Sequence, residues 1–188
     1  MPRKKEYDKA LVTEKAMEQF WSKGYSDTSA RMLEKSMGIN PFSIYSSFGN
    51  KRGVLLESLK YYQSQVREQL LLPLSKAPKS IDSLQDFFVN FLNFTKGKDC
   101  YKGCLLINTA HETATTPDAR VNAIIENFST EIKTAFYEIL KSDQSKTNEL
   151  VERQTSYLFV ALQGILSAAK INNEQQIDNY INMTFLNI

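Results

Sequence analysis

Cysteine is almost missing from this chain: Cys100 and Cys104 are the only two in 188 residues. A disulfide framework is therefore excluded, and a reducing cytoplasm is the expected setting. Histidine occurs once, at His111. A single histidine rules out the paired Glu-x-x-His ligands of a di-metal helical bundle. A Ser–His or Cys–His nucleophile pair would have to use that one ring, and nothing in the pattern supports it. No glycine-rich phosphate loop appears. An enzyme is poorly served by this sequence, and no metal or cofactor is expected. Glycine (seven) and proline (five) are scarce, which favours helix over a turn-rich β fold. Apolar runs stay well short of the ~18 residues that a membrane span needs, and no signal segment follows the first basic residues. A soluble, unexported protein with no membrane partner is expected.

What is present is an ordinary globular composition, 42% hydrophobic and 23% charged, with a net charge of only +2. The distribution of charge says more than the total. Residues 1–52 hold ten Lys/Arg against six Asp/Glu, and the remainder holds 13 against 15. The basic end also carries the most ordered local signals. Asn40 can cap a helix, Pro41 suits its first position, and Gly49 can stop it after about two turns. Such a helix cannot stand alone in water, yet its outer side carries hydroxyls (Ser43, Tyr45, Ser46, Ser47) that have no use in a core. Gly38-Ile39 supplies a tight turn before it. Helix, turn, short polar-faced helix is the outline of a helix-turn-helix.

Apolar periodicity then assigns helices over most of the chain: 8–23, 28–37 with Thr28 as its cap, 40–49, and a long one from Lys51 to about Leu72. Pro73 and Pro78 read as the edges of a linker. Further helices are expected over 80–95, 103–113, 116–141 with Thr116 as cap and Pro117 at the first position, about 150–169, and a last one after Asn172-Asn173. The expectation is all-α, about nine helices, with the helix-turn-helix outline in a domain at 1–50 and a larger helical domain at 51–188. Arg3, Lys4 and Lys5 are candidates to reach along a DNA groove. One short reading helix gives too little contact for a specific site, so a dimer is expected on a palindromic operator. Its interface is assigned to the last two helices through Leu158, Leu162, Ile165, Leu166, Ile177, Tyr180 and Ile181.

The run Phe20, Gly24-Tyr25, Thr28-Ser29, Arg31, Leu33, Gly38-Ile39, Ile44-Tyr45, Phe48 and Asn50-Lys51 resembles the N-terminal signature of the tetracycline-repressor (TetR) family. That resemblance implies an N-terminal three-helix DNA-binding domain joined to a ligand-binding and dimerisation domain. It implies double-stranded DNA as partner, with repression relieved by an unidentified small molecule. The DNA-binding set is then Thr28, Arg31, Pro41, Phe42, Ser43, Tyr45, Ser47 and Lys51. Phe42 and Ser43 would face bases, while Thr28, Tyr45, Ser47 and Lys51 would hold phosphates. Candidate ligand-binding residues are Tyr62, Phe91, Cys104, Asn108, His111, Phe128 and Tyr157, with Gln163 as a further polar anchor. An alternative is a thiol-based oxidant or electrophile sensor using Cys104 or Cys100, whose pKa Lys98, Lys102 and a helix N-terminus would lower. A helical carrier protein would leave the hydroxyl-rich short helix and the basic N-terminal third unexplained.

Overall fold

The computed structural model describes residues 7–98, 100–186 and 188; Arg3, Lys4 and Lys5 lie outside the described residues. Within that range there are nine helical rods and no strand beyond an isolated bridge between Lys96 and Tyr101. They are α1 (Lys9–Lys23), α2 (Ala30–Met37), α3 (Pro41–Phe48), α4, α5 (Ile81–Thr95), α6 (Leu105–Thr113), α7 (Ala119–Leu140), α8 (Asn148–Ala168) and α9 (Glu174–Phe185). The rod α4 runs Lys51–Val66, passes through a π turn at Arg67–Leu71, and continues as Leu72–Lys76. None of the described helices is long and apolar enough to cross a membrane.

Several boundaries differ from expectation for local reasons. Pro73 does not end α4. It lacks an N–H and would clash with the carbonyl four residues back. The chain widens just before it, with the Leu72 amide bonding to the Arg67 carbonyl five residues earlier, and the rod continues. The cap of α2 is Ser29, whose hydroxyl accepts from the Met32 amide. Thr28 is turned inward instead. Asp118, not Thr116, caps α7, because its carboxylate takes both the Arg120 and Val121 amides. Those amides, Val121 foremost, together with Arg52 hold its pKa down at about 2. Arg52 Nε donates to Asp118 at 2.8 Å, so this bridge between the start of α4 and the start of α7 stays ionised at working pH.

The first three helices close over α4: Val12, Ala16, Phe20, Leu33, Met37, Ile44 and Phe48 meet Val54 and Leu55 in one buried cluster. The larger C-terminal core is aromatic. Tyr62, fully buried on α4, lies 5.0 Å from Trp21 and 6.5 Å from Phe128 between ring centroids. Phe87, Phe88, Phe91 and Phe136 interlock further along. The last two helices correct an expectation. Leu158, Leu162, Ile165, Leu166, Ile177 and Ile181 are buried inside one protomer, packed as core. Tyr180 alone of the expected set faces out, and it shares the outward stripe of α8 and α9 with Tyr157, Val160, Gly164 and Met183.

Candidate DNA-reading face and effector cavity

The reading helix α3 is held from behind by Ile44 and Phe48, both buried. At its start the Asn40 side chain accepts from the Ser43 amide, and Pro41 occupies the first turn without needing a partner. It ends at Gly49 with φ +78, a conformation that glycine adopts without strain. This fixes what faces out. Phe42 is 82% exposed, and Tyr45, Ser46, Pro41 and Arg31 are exposed beside it. Arg31, Tyr45 and Lys51 come together around a hollow of about 300 Å³ where α2, α3 and the start of α4 meet. Ser43 and Ser47 are half-buried on the flank. There the Tyr7 hydroxyl donates to the Ser43 carbonyl at 3.3 Å and pairs with the Ser47 hydroxyl.

Two sequence readings change here. Thr28 is fully buried and its hydroxyl donates to the Gly24 carbonyl at 2.6 Å, so its side chain is spent on the turn after α1 and cannot hold a phosphate. Ser46, counted among the outer hydroxyls but not in the DNA-binding set, lies on this face one helical turn from Phe42; Tyr7, which the sequence did not single out, meets α3 only through the tertiary fold.

Lys51 sits with its ammonium 4.3 Å from the centre of the Tyr25 ring. Loss of hydration there lowers its pKa, against the fields of Glu112 and Asp27, which raise it. Lys51→Ala is expected to weaken binding to all DNA sequences and flatten the salt slope by roughly one. Anisotropy titrations across a salt series check this; an unchanged slope would remove Lys51 from the phosphate contacts.

The second feature is a cavity of about 340 Å³ among α5, α6, α7 and α8. It gathers Phe91, Cys104, His111 and Phe128 from the expected ligand set, together with Gln163. Three expected members are elsewhere. Tyr62 lies behind the lining, in the aromatic core. Its buried hydroxyl finds no well-formed hydrogen bond among the described residues, with the Cys104 thiol beside it. Asn108 is occupied in tethering the loop, its amide donating to the Lys102 carbonyl at 2.9 Å. Tyr157 stands on the outer stripe of α8, 46% exposed.

Of the two candidate sensor thiols, Cys100 is exposed and Cys104 is buried, and for Cys104 the expectation of a lowered pKa is corrected. Burial pushes the Cys104 thiol up, outweighing the α6 amides of Ile107 and Leu106 that pull the other way. A reactive cysteine needs thiolate at working pH. Cys104 offers a small neutral wall.

The helix α6 joins the two features. Leu106, Ile107, Ala110 and His111 line the cavity from one side of it. Just before its N-terminus, the Gly103 carbonyl accepts from Trp21 Nε1 at 2.7 Å, in a buried bond to α1. At its other end the Glu112 carboxylate accepts from the Tyr25 amide at 2.8 Å, at the corner where α1 turns toward α2. The fit at that corner is close: a Cβ on Gly24 would stand 2.4 Å from the Glu112 carboxylate. One nine-residue helix thus touches the cavity along its side and the N-terminal domain at both ends.

Residues 12–58 match a family model described as bacterial regulatory proteins, tetR family. The chain is 33% identical over 155 residues to the uncharacterized HTH-type transcriptional regulator YezE of Bacillus subtilis, covering 79% of this chain and 77% of that one. It is 32% identical over 118 residues to the HTH-type transcriptional repressor ComR of Escherichia coli, covering 62% and 55% of the two chains. Among solved structures, a cysteine mutant of the TetR family regulator CifR, complexed with a 26-base-pair double-strand operator, superposes with a TM-score of 0.81. It is 21% identical, and the match covers 98% of each chain.

Proposed function

This chain belongs to the TetR family of bacterial regulatory proteins, and from that premise we propose that it is a repressor, released from its operator when a small molecule fills the α5–α8 cavity. It is a DNA-binding transcriptional regulator and not an enzyme. In this reading residues 1–50, with Lys51 at the start of α4, bind DNA, and the rest of 51–188 regulates. In the major groove, Phe42 offers an apolar face to a thymine methyl, and Ser46, whose hydroxyl donates to the Ser43 carbonyl at 3.1 Å, offers its oxygen as an acceptor to a base edge. Arg31, Tyr45 and Lys51 hold phosphates around their shared hollow. Base contacts set the sequence, while phosphate contacts set affinity and its salt dependence. A regulator that works on DNA acts in the cytoplasm.

Two protomers read one palindrome, paired through the exposed stripe of α8 and α9. Tyr157, Val160, Tyr180 and Met183 form an apolar face there, and Gly164 lets a partner approach closely. Tyr157→Arg, on this stripe but outside the cavity lining, is expected to give a monomer at micromolar concentration by sedimentation, with operator affinity down at least about tenfold. A stable dimer that still binds would move the interface elsewhere.

The observation that carries the release mechanism is the placement of α6. A ligand lodged against Ala110 and His111 favours one position of α6 over another, and it shifts DNA affinity only by its preference between the two. Any movement of α6 is passed to α1 through Trp21 and Tyr25, and to Lys51 through the Glu112 charge. A genome-wide footprint would supply the operator, and anisotropy on that DNA is the test. Salt-dependent, sequence-specific binding by two protomers is expected; equal affinity for operator and random DNA would refute the reading.

A further inference from the structure

This inference deepens the effector reading above and rests on it. We propose that the α5–α8 cavity takes a small uncharged molecule with an apolar body and one hydrogen-bonding end (an alcohol, ketone, amide or ester), the body seated inward and the polar end at the mouth.

The lining sorts into two zones, with Val160 and Gly164 of the outward α8 stripe at the rim beside them. The floor consists of Phe91, Leu106, Phe128, Ile132 and Leu162 with the Cys104 thiol, all buried. At the mouth stand His111, exposed, and Ser129, Gln163 and Ser167, half-buried. No Asp, Glu, Lys or Arg lines the cavity among the described residues. An ion entering it would shed water with no opposite charge to replace it, which is strongly unfavourable. The Cys104 thiol does not change this, because burial raises its pKa and keeps it neutral. Lys133 is engaged over the Phe159 ring, 4.7 Å from its centre, and does not line the space.

The polar end is assigned by which mouth groups are free. The Ser129 hydroxyl is already committed to the Ile125 carbonyl at 2.8 Å. The side chains of Gln163, Ser167 and His111 make no hydrogen bond to other described residues. Gln163 presents a donor and an acceptor together, so it can meet either a carbonyl or a hydroxyl. Size fits the class: about 340 Å³ is near the lower end of the ~300–1,000 Å³ usual for small-molecule sites.

Trp21 is the only tryptophan and touches Tyr62, which touches Phe128 of the floor, so its emission reports on occupancy. Three probes sharing one ring are titrated into the full chain at pH 7.5: benzyl alcohol, toluene and benzoate. Trp21 emission and the melting temperature are followed. Benzyl alcohol is expected to saturate at a concentration at least tenfold below benzoate. Gln163→Leu is expected to weaken benzyl alcohol several-fold and leave toluene unchanged. Benzoate binding as well as the alcohol, or no binding of any probe at millimolar concentration, overturns the proposal. Equal loss of alcohol and toluene in Gln163→Leu overturns the assignment of the polar end. Operator release is measured separately on the wild-type complex. Alcohol binding with the operator retained would sink the effector reading while this ligand class stands; benzoate-selective release would do the reverse.

Discussion

Gly53→Ala is expected to abolish specific DNA binding while the C-terminal bundle stays folded. Gly53 lies in the first turn of α4, and the Asn50 side chain accepts its amide at 2.9 Å. A Cβ there would stand 1.8 Å from the Phe48 carbonyl oxygen and 2.9 Å from its carbon. Both are backbone atoms at the last turn of the reading helix, so no side chain can swing aside. The only relief is to push α3 away from α4, opening the contact that seats Ile44 and Phe48. Overpacking of this kind costs about 1–3 kcal/mol or more, and a helix of two turns has no stability of its own to hold its place. Operator affinity should fall at least about a hundredfold, since base contacts tolerate no shift of the reading helix. Circular dichroism should still show most of the helix. Wild-type affinity in Gly53→Ala would show that α3 can move without consequence.

The second large effect concerns Trp21. Its ring packs against Tyr62 at 5.0 Å and Phe94 at 5.8 Å, and its indole N–H carries the buried bond to Gly103. Trp21→Ala removes both and should cost about 3–5 kcal/mol. Trp21→Phe separates them. The ring contacts survive in part, while the Gly103 carbonyl loses its donor inside the protein, at about 1–3 kcal/mol. Urea unfolding of both variants measures these costs. For Trp21→Phe a further result is expected: with one of the two α6 tethers cut, any ligand that releases the wild-type operator complex should release this variant several-fold less effectively. Full responsiveness would mean that α6 communicates through Glu112 alone.

The local features of the reading head were legible because the residues that decide them are neighbours in sequence. Asn40, Pro41 and Gly49 fix the start and stop of α3 whatever surrounds it. The failures have equally physical causes. Thr28 and Ser29 are both good caps one residue apart, and the Gly24 carbonyl, which takes the Thr28 hydroxyl, leaves Ser29 to cap the helix. Pro117 beside Asp118 posed the same ambiguity, resolved by a carboxylate that takes two amides at once. Pro73 was misjudged because a π turn can absorb the misfit that a proline introduces.

The dimer residues failed for a more general reason. Helical periodicity identifies the most apolar side of α8, but that side is the one buried at home. The outward stripe, with Tyr157, Val160 and Gly164, is less apolar and shows no stronger period. Cavity residues mix the two cases. Phe91 and Phe128 do line the cavity, whereas Tyr62 is one layer too deep and Asn108 is spent on a loop. Glu112 and Gly24 could not have been paired from sequence at all. Their meeting depends on α6 reaching the corner after α1, 88 positions apart in the chain.

The link between the cavity and the reading head can be tested without knowing the effector. Ala110 lines the cavity from α6 and is half-buried, so Ala110→Trp places a ring where the ligand would sit. Operator affinity of this variant, measured by anisotropy beside its melting temperature and sedimentation, is the decisive quantity. A folded dimer whose operator affinity has dropped about tenfold or more, with the loss relieved by a second substitution that frees the α6 tether at Glu112, is the result expected from coupling on the order of 1–3 kcal/mol. A folded dimer with a filled cavity and unchanged operator affinity would contradict it.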